Sequence, residues 1–270
     1  MIAVGTARRA QETRHHRMLD NGFSFHRSEW MDGGRDPALS PTIFLVEQPP
    51  HSVLHPHFHT QNQFQVFTEG SGTLGRHGVG PGSVHYAGAY TGYGPLVAGP
   101  EGLSYFTLRA AYETGAHFLP ADRDQLRRGP KRHAHGPSHE SADTATLRAL
   151  QGTTRTQLIA PDPDGMDAFS LLVPAGSAVE LPPATGSGQF QLVLAGEYVA
   201  PQGSLGRWES RFLSCGEDTA GCRAGAAGLH LLVLQMPHTA CEYGLRDVQP
   251  DVLRDVLRDD SSDFSCISSR

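Results

Sequence analysis

Two stretches of the chain repeat each other at a constant offset of 126 residues, and this repeat constrains the fold more than any other feature. The segment QFQVFTEG at 63–70 aligns without a gap with QFQLVLAG at 189–196. The same offset aligns GLSYFTLR at 102–109 with GLHLLVLQ at 228–235. Because the apolar runs coincide in both copies, the sequence predicts one supersecondary unit that occurs twice.

The turn-forming residues indicate that this unit is built from short strands. The chain has 31 glycines and 19 prolines in 270 residues, spread between runs rich in Val, Leu, Phe and Thr. Such spacing is typical of β-barrels and sandwiches. We therefore predict an all-β fold with two tandem barrels, whose repeated parts span about 42–109 and 168–235. A single sandwich with accidental internal similarity is the alternative.

The repeat also predicts how the chain is divided. An apolar stripe at 251–257 predicts a short C-terminal helix. The predicted parts, in chain order, are an N-terminal extension that packs on the barrels, a first barrel, a linker, a second barrel, and a C-terminal helix and tail: 1–41, 42–111, 112–165, 166–245 and 246–270.

Three histidines recur at every second position near the start of the first copy. They are His55, His57 and His59, separated by a proline and a phenylalanine. Alternate side chains of an extended segment project to the same side, so two of these imidazoles could bind one metal ion together. A third ligand has to come from another strand, and His85, which follows a Gly-Pro-Gly turn, is the candidate.

This pattern resembles the cupin superfamily. The first cupin motif reads roughly G-x5-H-x-H-x3,4-E-x6-G, and the spacing from His57 through His59 and Gln63 to Gly70 matches it. Gln63 stands where most metal-binding cupins have a glutamate. It is either a further ligand or a residue that serves the fold, since Gln189 occupies the same place in the second copy.

The second cupin motif, roughly G-x5-P-x-G-x2-H-x3-N, is matched at its centre. Gly82 and His85 have the motif spacing, while Gly80 and Ala89 replace its proline and asparagine. The resemblance covers both copies and implies two tandem cupin jelly-roll barrels, a bicupin.

The resemblance further implies that the first barrel holds a divalent transition metal. Its ligands would be His57, His59 and His85, with Gln63 as a further ligand. Imidazole suits several first-row ions, so Fe(II) is preferred while Zn, Ni, Mn and Cu stay open.

The second copy lacks these imidazoles. The 126-residue offset places Pro183, Thr185 and Arg211 at the positions of the three histidines. None of these side chains can replace a neutral imidazole as a ligand, so we expect the second barrel to be degenerate and metal-free.

A site of three neutral imidazoles leaves a bound divalent ion its full charge, which makes the ion a strong Lewis acid. The leading hypothesis is therefore an Fe(II) dioxygenase-type oxidoreductase that acts on a small anionic or enolisable substrate. The alternatives are a non-catalytic metal- or small-molecule-binding cupin, as a sensor or store, and a cupin isomerase or lyase.

Further site residues are expected around these histidines. His55 is the one candidate base, and Tyr86 could supply a hydroxyl at the barrel mouth, so both are predicted as catalytic. The predicted substrate-binding residues share a polar side chain near the metal motifs: Gln65, Arg76, Tyr90 and Tyr93.

The segment 123–140 combines five basic residues with three histidines. It lacks the aromatic residues that a nucleic-acid site interleaves with its charges. We predict a solvated linker here, and a metal site formed by His133, His135 and His139 is the alternative.

Charge and hydropathy limit the possible partners. The formal net charge is −6, and no stretch is apolar enough to cross a bilayer. The first twenty residues lack the apolar core of a secretory signal, and the four cysteines form no C-x-x-C pair, which is typical of reduced thiols. We therefore expect a cytoplasmic protein. Its expected partner is a small-molecule substrate and not a nucleic acid or a membrane, and the protein could form a homodimer.

Overall fold

The computed structural model describes residues 1–238, where the chain forms eighteen strands, two short α-helices and one short 3-10 helix. No helix in this range is long and apolar enough to cross a membrane. The helix predicted at 251–257 lies outside the described residues.

The strands range from two-residue edge strands to the fourteen-residue strand Leu96–Arg109. The elements up to this strand are β1 (Ile2–Gly5), α1 (Ala7–Thr13), β2 (His15–Met18), β3 (Ser24–Asp32), β4 (Thr42–Gln48), β5 (Val53–Leu54), β6 (His57–Phe58), β7 (Gln63–Leu74), β8 (His77–Val79), β9 (Val84–Ala87) and β10 (Leu96–Arg109). The elements that follow are β11 (His117–Phe118), the 3-10 helix (Arg123–Gln125), β12 (His133–Gly136), α2 (Thr144–Ala149), β13 (Thr154–Ile159), β14 (Asp167–Val173), β15 (Gln189–Ala200), β16 (Gly203–Leu205), β17 (Ser210–Leu213) and β18 (Arg223–Gln235).

Two antiparallel sheets share one strand order. The first sheet runs β12-β9-β7-β10-β4-β3-β2, and the second runs β1-β17-β15-β18-β14-β13. The central strands β7 and β15 both span twelve residues and begin at Gln63 and Gln189, which are the positions that the repeat aligns. The predicted all-β fold is confirmed.

The edges of the two sheets are exchanged along the chain. β1, from the N-terminal extension, pairs with β17 of the second sheet. β12, from the segment predicted as a solvated linker, pairs with β9 of the first sheet. The prediction of a solvated linker is therefore wrong over His133–Gly136, because these residues complete the edge of a sheet.

The core between the two sheets explains why their central strands are buried on both faces. Phe64 and Phe106 of the first sheet belong to the same buried cluster as Phe190 and Phe212 of the second. The opposite faces of β7 and β15 point into the interior of their own copies, where two further apolar clusters lie.

A pair of glycines is required at equivalent turns of the two copies. Gly70 and Gly196 have φ angles of +71° and +77°, in the left-handed region that side chains rarely adopt. A Cβ atom would lie 2.2 Å from the carbonyl oxygen of Gly102 in the first copy and 2.1 Å from that of Gly228 in the second. The glycine of the repeated motif therefore allows two strands to approach closely.

The cysteines depart from the sequence-based expectation. Cys222 is a buried free thiol, as expected. Cys215 is disulfide-bonded, so the expectation of reduced thiols is wrong at this position.

Replacing either motif glycine with alanine should destabilise the protein. We expect Gly70→Ala and Gly196→Ala each to lower the free energy of unfolding by about 2–4 kcal/mol, because both add a strained φ angle and a backbone clash. Gly152, which has open space around its Cα, is the matched control, and Gly152→Ala should change stability by less than about 0.5 kcal/mol. Urea denaturation measures all three, and equal stabilities would contradict the role of the turns.

Candidate metal and substrate site

The three histidines predicted as ligands are all buried in the first copy. His57 lies in β6, His59 follows it, and His85 lies in β9. Their exposed fractions are 2%, 8% and 1%. The backbone of His57 is fixed by mutual hydrogen bonds with that of Tyr93, at 3.1 and 3.0 Å, so the segment that carries the first two imidazoles is held in place. We call His57, His59 and His85 the inner triad.

Hydrogen bonds fix the tautomers of the first two imidazoles. Nδ1 of His57 donates to the backbone carbonyl of His55 at 2.8 Å. Nδ1 of His59 donates to the carboxylate of Glu113. Because both partners are acceptors, each Nδ1 carries the proton and each Nε2 is an unprotonated acceptor.

His85 has the same tautomer. Its Nδ1 donates a hydrogen bond to Oε1 of Gln65 at 2.9 Å. Its Nε2 is buried and has no hydrogen-bond partner among the described residues. A buried acceptor without a partner costs free energy, so this atom points to a missing donor or ion.

The electrostatics keep the inner triad neutral. Burial, followed by the neighbouring His59, lowers the pKa of His57 to about 3. Burial and the Arg109 guanidinium lower the pKa of His59. Burial and the nearby His135 lower the pKa of His85. Neutral imidazoles at pH 7 are the form that binds metal ions, so the donor chemistry of the inner triad fits a transition metal.

The hydroxyl of Tyr93 lies between the predicted ligands. It donates to Nε2 of His57 at 2.9 Å and accepts from Nε2 of Gln63 at 2.5 Å. Its ring centroid lies 4.5 Å from that of His57 and 5.1 Å from that of His85. With Tyr93 in this place, the inner triad is not among the groups of the described residues whose ligand atoms all lie within 4.8 Å of one another.

Gln63, predicted as a further ligand, turns its oxygen away from the histidines. Its Oε1 accepts hydrogen bonds from Nε and Nη2 of Arg109, at 3.0 and 2.8 Å. The opposite amide orientation would place donor against donor, so the network fixes the assignment. Gln63 therefore presents an N–H to the site, which cannot bind a metal ion, and serves the fold.

Glu113 is a site residue that the sequence did not indicate. Its buried carboxylate contacts His59, lies 3.6 Å from Nη1 of Arg109 and accepts from the backbone N–H groups of Thr60 and Gln61, at 3.0 and 3.3 Å. Burial alone would raise the pKa of Glu113, but Arg109 and His59 outweigh it and lower the pKa to about 2. This carboxylate comes from the segment after β10 and holds Nδ1 of His59, so it does not replace an acidic ligand at position 63. No repeat or motif in the sequence marks it.

A cavity of about 430 Å³ opens above His57, His59 and Tyr93. Gln65, predicted to bind substrate, also lines it. Its apolar lining residues are Phe23, Phe25, Phe44, Val46, Leu54 and Tyr105. Its charged lining residues are four cations and three carboxylates: Arg17, Arg27, Arg35, Arg109, Glu29, Asp32 and Glu113. Because the carboxylates pair with Arg27, Arg9 and Arg109, the cations of the cavity without an ion pair among the described residues are Arg17 and Arg35.

The structure does not bring four other predicted residues into this cavity. The side chain of His55 is exposed, and only its carbonyl takes part in the site. Tyr86 neighbours His85 in a strand and so points to the opposite face, into the core against Phe64 at 5.1 Å. Tyr90 lies beneath the charges of the 123–132 segment, and Arg76 is exposed beside His77.

The second copy has a different interior. Arg211 is buried where the first copy has His85, and its Nη1 donates to the Tyr198 hydroxyl at 3.2 Å and to Sγ of Cys222 at 2.8 Å. The Tyr198 hydroxyl in turn donates to Gln191 at 2.9 Å. In the second copy, hydrogen-bonded polar side chains therefore lie where the first copy has its predicted metal ligands.

No protein-family model and no curated protein sequence matches the chain. Solved structures do match. A candidate dioxygenase from Nostoc punctiforme superposes with a TM-score of 0.54 at 14% identity, over 87% of this chain and 78% of the other. The pirin YhhW from Escherichia coli, in complex with nickel(II), gives 0.51 at 13% identity, over 88% and 100%. Oxalate decarboxylase from Bacillus subtilis, studied for its Mn(II) centres, gives 0.52 at 12% identity, over 96% and 85%. These are cupin-type proteins, so this chain has the cupin fold.

Replacing Glu113 with glutamine removes the carboxylate but keeps the shape of the side chain. Because Arg109 then lacks its buried anionic partner, we expect Glu113→Gln to lower the free energy of unfolding by about 3 kcal/mol at pH 7. The wild-type carboxylate contributes this stability above its usual pKa of 4.5 and loses it as the pH falls toward 2. Urea titrations at pH 7 and pH 3 should show a smaller difference at the lower pH.

Glu180, which is exposed, provides the control for this measurement. Glu180→Gln should match the wild type within about 0.5 kcal/mol at both pH values. A deficit of Glu113→Gln that is equal at pH 7 and pH 3 would mean that the ionised carboxylate does not stabilise the fold.

Proposed function

We propose that this protein is a metal-dependent cupin enzyme of the dioxygenase type that acts on a small anionic or enolisable substrate. The observation that carries the proposal is the common tautomer of the inner triad, in which every Nδ1 is held by an acceptor and every Nε2 is unprotonated. Nε2 of His57 accepts from Tyr93, Nε2 of His59 faces Arg109, and Nε2 of His85 has no partner among the described residues. Metal-binding histidines have this arrangement, because the acceptor fixes the ring and raises its basicity. In this proposal the chain is a bicupin whose first barrel, about 42–111, binds the ion and whose second, about 166–245, is degenerate.

The inner triad would hold the ion through its three Nε2 atoms, with Fe(II) preferred and Zn, Ni, Mn or Cu also suited to imidazole. Bound there, the ion would supply Lewis-acid and dioxygen chemistry. The nickel(II) of the pirin structure and the Mn(II) centres of oxalate decarboxylase support metal-dependent chemistry on this fold. The Nostoc protein supports a dioxygenase in particular.

Side chains of the cavity favour an anion with an apolar body. Arg17 and Arg35 are exposed at the cavity and form no ion pair with a carboxylate of the described residues. Deeper in the cavity, Arg109 lies 3.1 Å from the ring nitrogens of His59. The phenylalanine side chains offer a surface on which the apolar body of such an anion can pack.

Tyr93 is the residue best placed to contact the reacting part of the substrate. Its hydroxyl donates to Nε2 of His57. A lone pair that binds an ion no longer accepts a hydrogen bond, so ligation by His57 would leave the Tyr93 hydroxyl to donate to a substrate oxygen. Gln65 also lines the cavity, but its Oε1 holds His85, so it acts by positioning that imidazole.

A non-catalytic metal- or small-molecule-binding protein is the second candidate. It is favoured by Gln63, which turns its oxygen to Arg109 and leaves the inner triad without an acidic ligand. An isomerase or lyase is less well supported, because its candidate base, His55, is exposed and outside the cavity. A cytoplasmic location and a homodimeric state remain predictions from the sequence.

Oxygen consumption distinguishes the enzyme from the binding protein. Iron-loaded protein is mixed with a panel of small aromatic and enolisable carboxylates, and oxygen uptake is followed with an electrode. We expect uptake that depends on one substrate class and that falls at least about 100-fold in His57→Ala and His59→Ala, because each removes a ligand. The exposed His16 provides the control variant His16→Ala, which should keep full activity. Uptake that survives in both ligand variants would contradict the proposed site, and no uptake with any substrate would favour the binding protein.

The anion preference has its own test. Benzoate binding is measured by calorimetry for the wild type, Arg17→Ala and Arg35→Ala. Each variant should bind about 2–5-fold more weakly, since an exposed charge contributes roughly 0.5–1 kcal/mol. Arg148 is exposed on α2, away from the cavity, and Arg148→Ala should bind as the wild type does. Equal affinities for all proteins, or tighter binding of benzamidine than of benzoate, would contradict an anionic substrate.

A further inference from the structure

Strand β12 brings two more histidines to His85. In the register of β12 and β9, His135 lies directly opposite His85, and their rings stack with centroids 4.6 Å apart. The ring of His133 lies 6.2 Å from that of His85. One ligand atom from each of His85, His133 and His135 lies within 4.8 Å of the others, and among residues 1–238 no other His, Cys, Asp or Glu group meets this condition. We call these three residues the outer triad.

A second observation points to a ligand at the same place. Nδ1 of His85 is engaged by Gln65, so Nε2 is the one atom that His85 can offer. That atom is buried and has no hydrogen-bond partner in the described part of the chain. An ion held with the two histidines of β12 would satisfy it.

The two outer imidazoles are arranged to act together. Nδ1 of His133 lies 3.3 Å from Nε2 of His135, within hydrogen-bond distance, and this separation also suits two nitrogen ligands of one tetrahedral ion. His77 stacks on His135 with centroids 3.8 Å apart and rings 18° from parallel, which holds the orientation of that ring. His133 is exposed and His135 half-buried, so an ion reaches this place from solvent without entering the barrel.

We infer that His85, His133 and His135 form a second site for a divalent transition metal, distinct from the inner triad of the proposed function. Three neutral imidazoles suit Zn²⁺, Co²⁺ or Ni²⁺, with water completing the coordination. Nε2 of His85 serves one ion at a time, so an ion in the outer triad excludes His85 from the inner one. The outer site itself does not depend on the proposed enzymatic activity.

The sequence alternative, a site of His133, His135 and His139, is corrected by the structure. Nε2 of His139 lies 2.7 Å from the Ser170 hydroxyl and 3.2 Å from Nε2 of His230. His139 is therefore engaged with the second sheet, and His85 takes its place in the cluster.

Cobalt binding in a variant without the other two inner imidazoles tests the inference. His57→Ala/His59→Ala protein is titrated with Co²⁺ and followed by calorimetry and by visible absorption. We expect one equivalent to bind with the intense absorption bands of a four-coordinate nitrogen site. Adding His133→Ala and His135→Ala should weaken binding at least about 100-fold, whereas adding His139→Ala should not change it. No binding to the first variant, or undiminished binding after removal of the β12 histidines, would overturn the inference whether or not the inner triad is catalytic.

A measurement on the unmodified protein tests the outer triad without relying on variants that could misfold. Diethyl pyrocarbonate acylates accessible imidazoles, and mass spectrometry locates the products. Zn²⁺ should protect His133 from acylation by at least about tenfold, because the lone pair that reacts is then bound to the ion. The exposed His16 should react equally with and without Zn²⁺. If His133 reacts as fast with saturating Zn²⁺ as without it, the outer triad holds no ion in the unmodified protein and the inference is overturned.

Discussion

The alternation of side chains along the central strands of the first sheet decides where chemistry can occur. In β7 and β9, every second residue enters the core between the sheets, where Phe64, Val66 and Tyr86 pack. The residues between them turn inward, among them Gln65 and His85. Because the apolar faces supply the burial that holds the two sheets together, the inward faces are free to carry polar groups that would otherwise weaken a core.

Those inward polar groups are compatible with a buried position because each charge and each donor has a partner. Arg109 is a cation in a nearly dry environment, and it contacts both the oxygen of Gln63 and the carboxylate of Glu113. The carboxylate in turn holds His59. Removing one member would leave an uncompensated group in a medium of low dielectric constant. The network therefore links the stability of the fold to the position of an imidazole. Nε2 of His85, on the same inward face, is one of eight buried side-chain atoms in residues 1–238 that have no hydrogen-bond partner.

The sequence predicted those features that local pattern and repetition encode. The 126-residue offset gave the equivalence of β7 with β15, and the histidine spacing identified three imidazoles that are buried in one copy. Contacts between side chains that are far apart in the sequence could not be predicted from these patterns. Glu113 lies outside the repeat, and His133 reaches His85 because β12 pairs with β9, a contact between segments almost fifty residues apart that no periodicity reveals. The role of Gln63 was left open since it depends on Arg109, whose counterpart in the second copy is Gln235, a residue without charge.

The exchange of edge strands has a consequence for the chain as a whole. Each sheet is completed by a segment from outside its own copy, β1 in one case and β12 in the other. β1 lies at the start of the chain but pairs with β17, the outer strand of the second sheet. A polypeptide that began after β1 would leave β17 with an open row of unpaired N–H and C=O groups, which is a template for association with other chains. The second sheet therefore depends on the N-terminal segment and cannot be transplanted intact without it.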